Sequence, residues 1–359
     1  MTIELATLKG SFPITYYGGK DDGSTDTKQP LRDAVDDAVS KGGGKITFPR
    51  TALGGIYEFS GGLVNGQLGS NITFEGEGYP ILRKSFAGDF FPTGGSQGKW
   101  FNLYFDQQGQ LYTGALLRLA ANEGSQEMAG CFVVNGGSSI ILIDSVGGSG
   151  CNIHNNWFTC HSSIAGAAAV KTSFSAFEVS ACPRKFHHNF CYGPNTKFAD
   201  VNGCHGFYCD NIYSNGIQFG DNLANGLITN CRMAITSASG GAITISGVGV
   251  EVHHNIIGGT GSLTLANGFR YGKFVDNEMD PAMTWVDNTI KNGAADQPFV
   301  EDPRYAAGKQ VPIMTTANLP AASALMNGRM FIEDIDGAGN FALVAYCRGQ
   351  RRRFSGVVF

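Results

Sequence analysis

Apolar side chains recur every four residues at Leu31, Val35 and Val39, which predicts one amphipathic helix. Asp26 or Thr27 can cap it, Pro30 fits its first turn, and Gly42-Gly43-Gly44 ends it. Lys45-Ile46-Thr47-Phe48-Pro49 follows as a short strand with Ile46 and Phe48 on one face. From there to about residue 300 the pattern is short apolar alternations broken by Gly, Asn and Ser, as in Asn71-Ile72-Thr73-Phe74-Glu75-Gly76 and Gly241-Ala242-Ile243-Thr244-Ile245-Ser246. No second helical period interrupts it. Past about Asp296 the prolines Pro298, Pro303, Pro312 and Pro320 break the pattern. The chain then closes on three short strands, expected over 329–333, 341–347 and 354–359, with turns at Asp336-Gly337 and Gly349.

A recurring asparagine gives the long middle region a period. Asn156, Asn189, Asn211, Asn230, Asn255 and Asn277 each follow a short polar or apolar lead, at intervals of 33, 22, 19, 25 and 22 residues. Three short strands in about 22 residues form one coil of a parallel β-helix, in which each coil hydrogen-bonds to the next around a continuous core. Asparagine suits the corner, because it tolerates left-handed backbone and its amide can bond the next coil. The competing arrangement is an antiparallel sandwich with Gly-rich turns. The 33-residue interval implies an insertion between Asn156 and Asn189, and solenoid insertions decorate one face. The expected organisation is an N-terminal segment and capping helix at 1–44, a β-helix at 45–297, a linker at 298–327 and a small β module at 328–359. The fold class is all-β.

Composition narrows the function classes. Fifty-one glycines and only 16% charged residues do not describe an ordinary α/β enzyme. A net charge of -4 with pI near 6.0, and a single basic run at Arg351-Arg352-Arg353, leave no footprint for nucleic acid. Residues 1–15 lack the basic and apolar regions of a secretory signal, and no stretch approaches a membrane-spanning length. A protein made in the cytoplasm without membrane insertion is therefore expected. The nine cysteines form no CxxC pair, so they read as small buried apolar side chains; Cys182 and Cys204 are expected to stack as a buried ladder.

Tyr17-Gly18-Gly19-Lys20-Asp21-Asp22-Gly23-Ser24-Thr25-Asp26-Thr27, the helix, and Gly42-Gly43-Gly44-Lys45-Ile46-Thr47-Phe48-Pro49 resemble the opening of the pectate-lyase-like β-helix family. Gly19 replaces that family's alanine and Thr27 its second aspartate. The resemblance covers about the first 80 residues and implies a right-handed coil. Near the other end, Leu319-Pro320-Ala321-Ala322-Ser323, Gly328-Arg329-Met330-Phe331-Ile332-Glu333-Asp334 and Tyr346-Cys347-Arg348-Gly349 look like the small terminal module of many tailed-phage tail proteins. The two ends together resemble a bacteriophage tailspike or tail-fibre protein. That resemblance implies a virion tail location, a homotrimer, attachment through the first dozen residues or an adaptor protein, and a bacterial surface polysaccharide as partner. It names no catalytic residue.

The period itself selects candidate chemistry. Glu178, Asp200 and Asp221 lie 11, 11 and 9 residues before Asn189, Asn211 and Asn230, which would stack three acids in a column about 4.8 Å apart. Carboxyls about 5 to 5.5 Å apart suit a retaining glycosidase and about 6.5 to 9.5 Å an inverting one, and crowding keeps one of them protonated. Acids at coil corners also cap backbone N–H groups, and three oxygens in a column can hold calcium, so catalysis, capping and metal binding all stay open. His187-His188 and His253-His254 sit three coils apart, about 14 Å, too far for one metal ion. His187 or Lys171 could instead be the base of a polysaccharide lyase, with Arg184 as the neighbouring cation. Trp100, Trp157, Tyr192, Tyr208, Tyr213 and Trp285 could stack on sugars; most are expected in the core, with Trp157 and Tyr192 the preferred exceptions. Three readings follow: a tailspike depolymerase, with hydrolysis ahead of lyase chemistry; a receptor-binding spike without catalysis; and a cellular pectinase-like enzyme, which would need an export signal.

Overall fold

The computed structural model describes residues 10–51, 55–68, 71–93, 97–119, 126–144, 150–173, 183–191, 193, 196–236, 241–280, 282–289 and 298–300, and the strands at 313–315, 330–334, 341–347 and 350–354. Its helix, α1, runs over Lys28–Ser40. Asp26 accepts the Lys28 N–H at 3.0 Å, while the Leu31 N–H closes the first turn on the Thr27 carbonyl at 3.0 Å. Its buried face is Leu31, Ala34, Val35 and Ala38. Val39, expected on that face, is 38% exposed, because a step of eight residues drifts about 80° around a helix of 3.6 residues per turn. α1 lies against the strands Ser11–Pro13 and Gly44–Pro49 and closes the N-terminal end of the core.

The rest of the coil is a parallel β-helix of three sheets. Sheet A has twelve strands, beginning Ser11–Pro13, Gly44–Pro49 and Ile72–Glu77 and ending at Phe299–Val300. Sheet B has eleven, from Asp22–Asp26 to Glu278–Met279, and sheet C has nine, from Phe91–Thr93 to Thr284–Asp287. After two coils with strands in A and B alone, the chain visits A, B and C in turn, and each strand pairs with its counterpart one coil away, always in parallel. Alternate residues point inward and make one cluster, from Phe12, Phe48 and Phe74 through Trp100 and Phe186 to Phe207, Phe219 and Phe274. The antiparallel alternative is excluded by this pairing.

The corner between sheets A and B holds two adjacent columns where the sequence period implies one. In the outer column Asn102, Asn155, His188, Asn211, Asn230, His254 and Asp276 all have φ between 50° and 55°, the left-handed conformation that Asn, Asp and His tolerate best among side-chain-bearing residues. Asn156, Asn189, Asn255 and Asn277 belong to the next position, which is buried. Asn211 and Asn230 are therefore offset by one residue from the other four. The buried asparagines bond from coil to coil: Asn189 Oδ1 accepts the Asn156 N–H and Nδ2 at 3.0 and 3.1 Å, and Asn189 Nδ2 donates to the Ile153 carbonyl at 2.8 Å. Asn255 and Asn277 repeat the arrangement at 3.1 and 2.9 Å. Each side chain thus satisfies backbone groups that the turn leaves unpaired.

The seven described free cysteines are all buried, while Cys182 lies outside the described residues. In the C-terminal module Met330–Asp334 pairs antiparallel with Phe341–Cys347, which pairs antiparallel with Gln350–Phe354. The third strand is Gln350–Phe354 and so precedes the expected 354–359. Ile313–Thr315, inside the stretch read as linker, adds a parallel fourth strand beside Met330–Asp334.

Candidate functional site

The interior of the coil is uniform, so the outward side chains of the three sheets carry what is particular to this protein. On sheet C the pairing register places Arg118, Leu142, Lys171, Asp200 and Gln218 in one outward column. Asp200 thus lies between Lys171 and Gln218. Gln218 Nε2 donates to Asp200 Oδ1 at 3.2 Å, Lys197 Nζ donates to Gln218 Oε1 at 2.8 Å, and Lys197 stands 4.0 Å from Asp200 Oδ2. The carboxylate is held by an amide and a nearby ammonium, yet its side chain remains 34% exposed. Toward the strand ends Arg118 Nε donates to Asp144 at 2.7 Å, with Asp89 3.4 Å from the same guanidinium and Ser173 on the other Asp144 oxygen. Burial alone would raise the Asp144 carboxyl, but Ser173 and Arg118 outweigh it and hold it below the usual aspartate range.

The expected three-acid column is not continuous. Asp200 pairs in register with Gln218, and Asp221 sits in the turn past the strand, accepting a hydrogen bond from Ser246 Oγ. The turns from sheet C back to sheet A vary in length, so counting back from corner asparagines misplaces residues beyond the turn. Glu178 and Tyr192 lie outside the described residues.

Sheet A presents Lys99, Glu127, Asn152, Lys185 and Tyr208 in one outward column and His154, His187 and Asp210 in the next. The rings of His154 and His187 stack at 4.8 Å. Glu127 reaches His154 Nε2 at 3.5 Å, and His187 Nε2 meets Asn152 Oδ1 at 3.0 Å. Burial lowers the His187 pKa, helped by His154 and His188 and opposed by Asp210, which favours the neutral imidazole. His154 stands alone in sequence, and only the sheet A register brings it beside His187. Arg184 does not join this group. Its position alternates inward, its side chain is fully buried, and Nη1 donates to the His205 carbonyl at 3.2 Å, so it cannot meet a substrate on the outer face. Among the described residues no three His, Cys, Asp or Glu converge as a metal site.

Sheet B is different again. Its outward column runs Tyr104, Phe132, Trp157, Phe190, Tyr213, Arg232, Ile256 and Glu278. Trp157 lies with its ring 4.2 Å from Phe190, and Phe190 stacks on Tyr213 at 5.1 Å and 10°. A sugar needs a free ring face, and one face of Trp157 is already covered. Near the N-terminal end, Asp26, Glu58, Arg83 and Asp106 fill a second outward column. Arg83 stands 3.7 Å from Glu58 and 3.3 Å from Asp106. Burial raises the Glu58 pKa, and the charges of Asp106 and Asp26 add to it against Arg83. The sequence offered no signal for this column beyond the alternation of Ile56-Tyr57-Glu58-Phe59.

No protein-family profile matches the chain, and no curated protein resembles it in sequence. Solved structures do match. A double mutant of the tailspike protein of E. coli bacteriophage HK620 superposes with a TM-score of 0.53 at 14% identity, covering 82% of this chain and 66% of that one. The fold is that of a tailspike-like parallel β-helix. A second mutant of the same tailspike, in complex with a pentasaccharide, gives 0.51 at 14% identity over 90% of this chain and 70% of its own. The A-module of the mannuronan C-5 epimerase AlgE6 of Azotobacter vinelandii matches 82% of this chain and all of that module at 13% identity with a TM-score of 0.43. The chain spans about two thirds of the tailspike chains, and the likeness is one of fold.

Proposed function

We propose that this protein is a phage tail depolymerase that binds a bacterial surface polysaccharide, whether capsule, exopolysaccharide or O-antigen, along sheet C and cleaves it by glycoside hydrolysis. The observation that carries this reading is Asp200: an outward carboxylate midway along a tailspike-like coil, flanked by Lys171, Lys197 and Gln218. Those three supply the hydrogen-bond donors and acceptors that orient a polar polymer, and the rungs repeat at about 4.8 Å, close to one sugar. In this reading Asp200 serves as base or nucleophile and Glu178 as the general acid. Asp221 holds the turn through Ser246 and is assigned to support. The HK620 tailspike mutant solved with a pentasaccharide has the same coil, which favours a saccharide partner here. Assembly as a homotrimer on a tail adaptor completes the reading.

One observation favours a second chemistry. The half-buried, neutral-leaning His187 on sheet A has the character of a proton-abstracting base, and with Arg184 buried the cation for a uronate carboxylate would be Lys185, two residues away on the same face. Purified protein incubated with capsule, exopolysaccharide and O-antigen preparations separates the readings. Hydrolysis gives new reducing ends without absorbance near 235 nm, lyase chemistry gives both, and a receptor-binding spike gives bound but intact polymer.

A further inference from the structure

We infer that the aromatic stripe on the outer face of sheet B is the surface through which copies of this chain pack against one another, and that it does not bind the polysaccharide. Tyr79, Phe132, Trp157, Tyr213 and Ile256 are 38% to 46% exposed and lie on or against a single column. At about 200 Å² per large side chain, this leaves roughly 400 Å² of apolar surface in water. A standard interface takes about 800 Å² from each partner, with an apolar aromatic core inside a polar rim, so the stripe has the size of such a core.

Ring geometry decides against a sugar as occupant. Tyr104 and Phe132 lie 6.1 Å apart at 18°, and Phe190 and Tyr213 are 5.1 Å apart at 10°. Stacked along the coil, the rings cover one another's faces and turn their edges outward, whereas a sugar ring packs on a face. The next outward column carries the Asp106 carboxylate at its start and then Val134, Thr159, Ala234 and Gly258, which offer one hydroxyl among three side chains. A polysaccharide laid there would lose water from its hydroxyls without replacement. A second copy has no such cost. It presents apolar side chains at the same rung spacing of about 4.8 Å, so the two stripes interdigitate rung by rung. The inference does not depend on cleavage, and it holds for a non-catalytic spike equally.

Light scattering on the full 38.1 kDa chain tests it. The wild type should run at a multiple of the chain mass, and the double variant Trp157→Ser with Tyr213→Ser should run at the mass of one chain with unchanged strand content by circular dichroism. Lys185→Ser with Glu251→Ser, on sheet A, should keep the assembly. A second arm keeps the wild-type stripe intact: Thr159→Cys treated with a short bis-maleimide should give covalent dimers at micromolar protein. A monomeric wild type, an assembly that survives the double variant, or failure of Thr159→Cys to cross-link within a confirmed assembly would overturn the inference. So would a shift of Trp157 emission on adding polysaccharide to the assembled protein.

Discussion

Sheets B and C line the same core with the same alternation, and each turns out an arginine between carboxylates, yet the middle of sheet B is aromatic where that of sheet C is polar. Sheet B turns out Phe132, Trp157, Tyr213 and Ile256, and sheet C turns out Arg118, Lys171, Asp200 and Gln218. Inward positions answer to packing alone, so Phe186, Phe198 and Phe207 could sit in any β-helix. Outward positions have no structural duty beyond solubility, and a stripe of exposed aromatics works against solubility. Under the proposals made above, the contrast corresponds to two kinds of partner, one apolar and one polar. On this account sheet B meets protein and sheet C meets sugar.

The comparison requires that the common interior can be damaged without favouring either face, and the largest effect is expected there. Asn189→Ala orphans the buried Asn156 N–H and the Ile153 carbonyl, and should cost about 3 kcal/mol of stability in denaturant unfolding. Assembly and cleavage should decline together; loss of one alone would show that Asn189 belongs to a face. A pH-dependent test follows at the corner between sheets B and C, where buried Lys84 donates to the carbonyls of Phe86 and Thr113 at 2.6 and 2.7 Å. Burial brings its pKa down to about 8. Between about 8 and the ordinary lysine value near 10.4 the unfolded chain binds this proton more tightly than the folded one, so stability gains from Lys84 as pH rises through that window. Below about pH 8 the full penalty remains. Lys84→Met should flatten the rise in Tm from pH 8 to 10 relative to wild type, and an identical slope would contradict the assignment. The smallest effect is expected at Glu58, whose raised carboxyl marks it as the rival acid. If sheet B carries no chemistry, Glu58→Gln should change stability by less than about 1 kcal/mol and leave the release of reducing ends within twofold. Loss of cleavage would move the active site to sheet B.

The coil and its capping helix were legible because glycine, asparagine and alternation report backbone geometry, which the sequence expresses locally. The outer faces were harder to read. Asn211 and Asn230 look identical to Asn189 and Asn255 in sequence, but one residue separates a left-handed corner from a buried amide. Asn211 and Asn230 share one column, so it is the unequal length of the turns before them that sets Gln218 beside Asp200 where spacing predicted Asp221. Arg184 shows the same limit, since a charged residue beginning a strand reads as exposed until the register turns it inward. Glu58, Arg83 and Asp106 come from three separate coils and carry no shared motif. The aromatic stripe was equally hidden, because its members stand a full coil apart and resemble core residues one at a time.

The most direct measurement compares wild-type and Asp200→Asn protein on the same surface polysaccharide, counting reducing ends over time and bound polymer at equilibrium. The account predicts that Asp200→Asn releases reducing ends at least 100-fold more slowly while polymer binding stays within about threefold, as expected when a group acts in the chemical step. Equal rates of release from the two proteins would contradict the placement of the chemistry on sheet C.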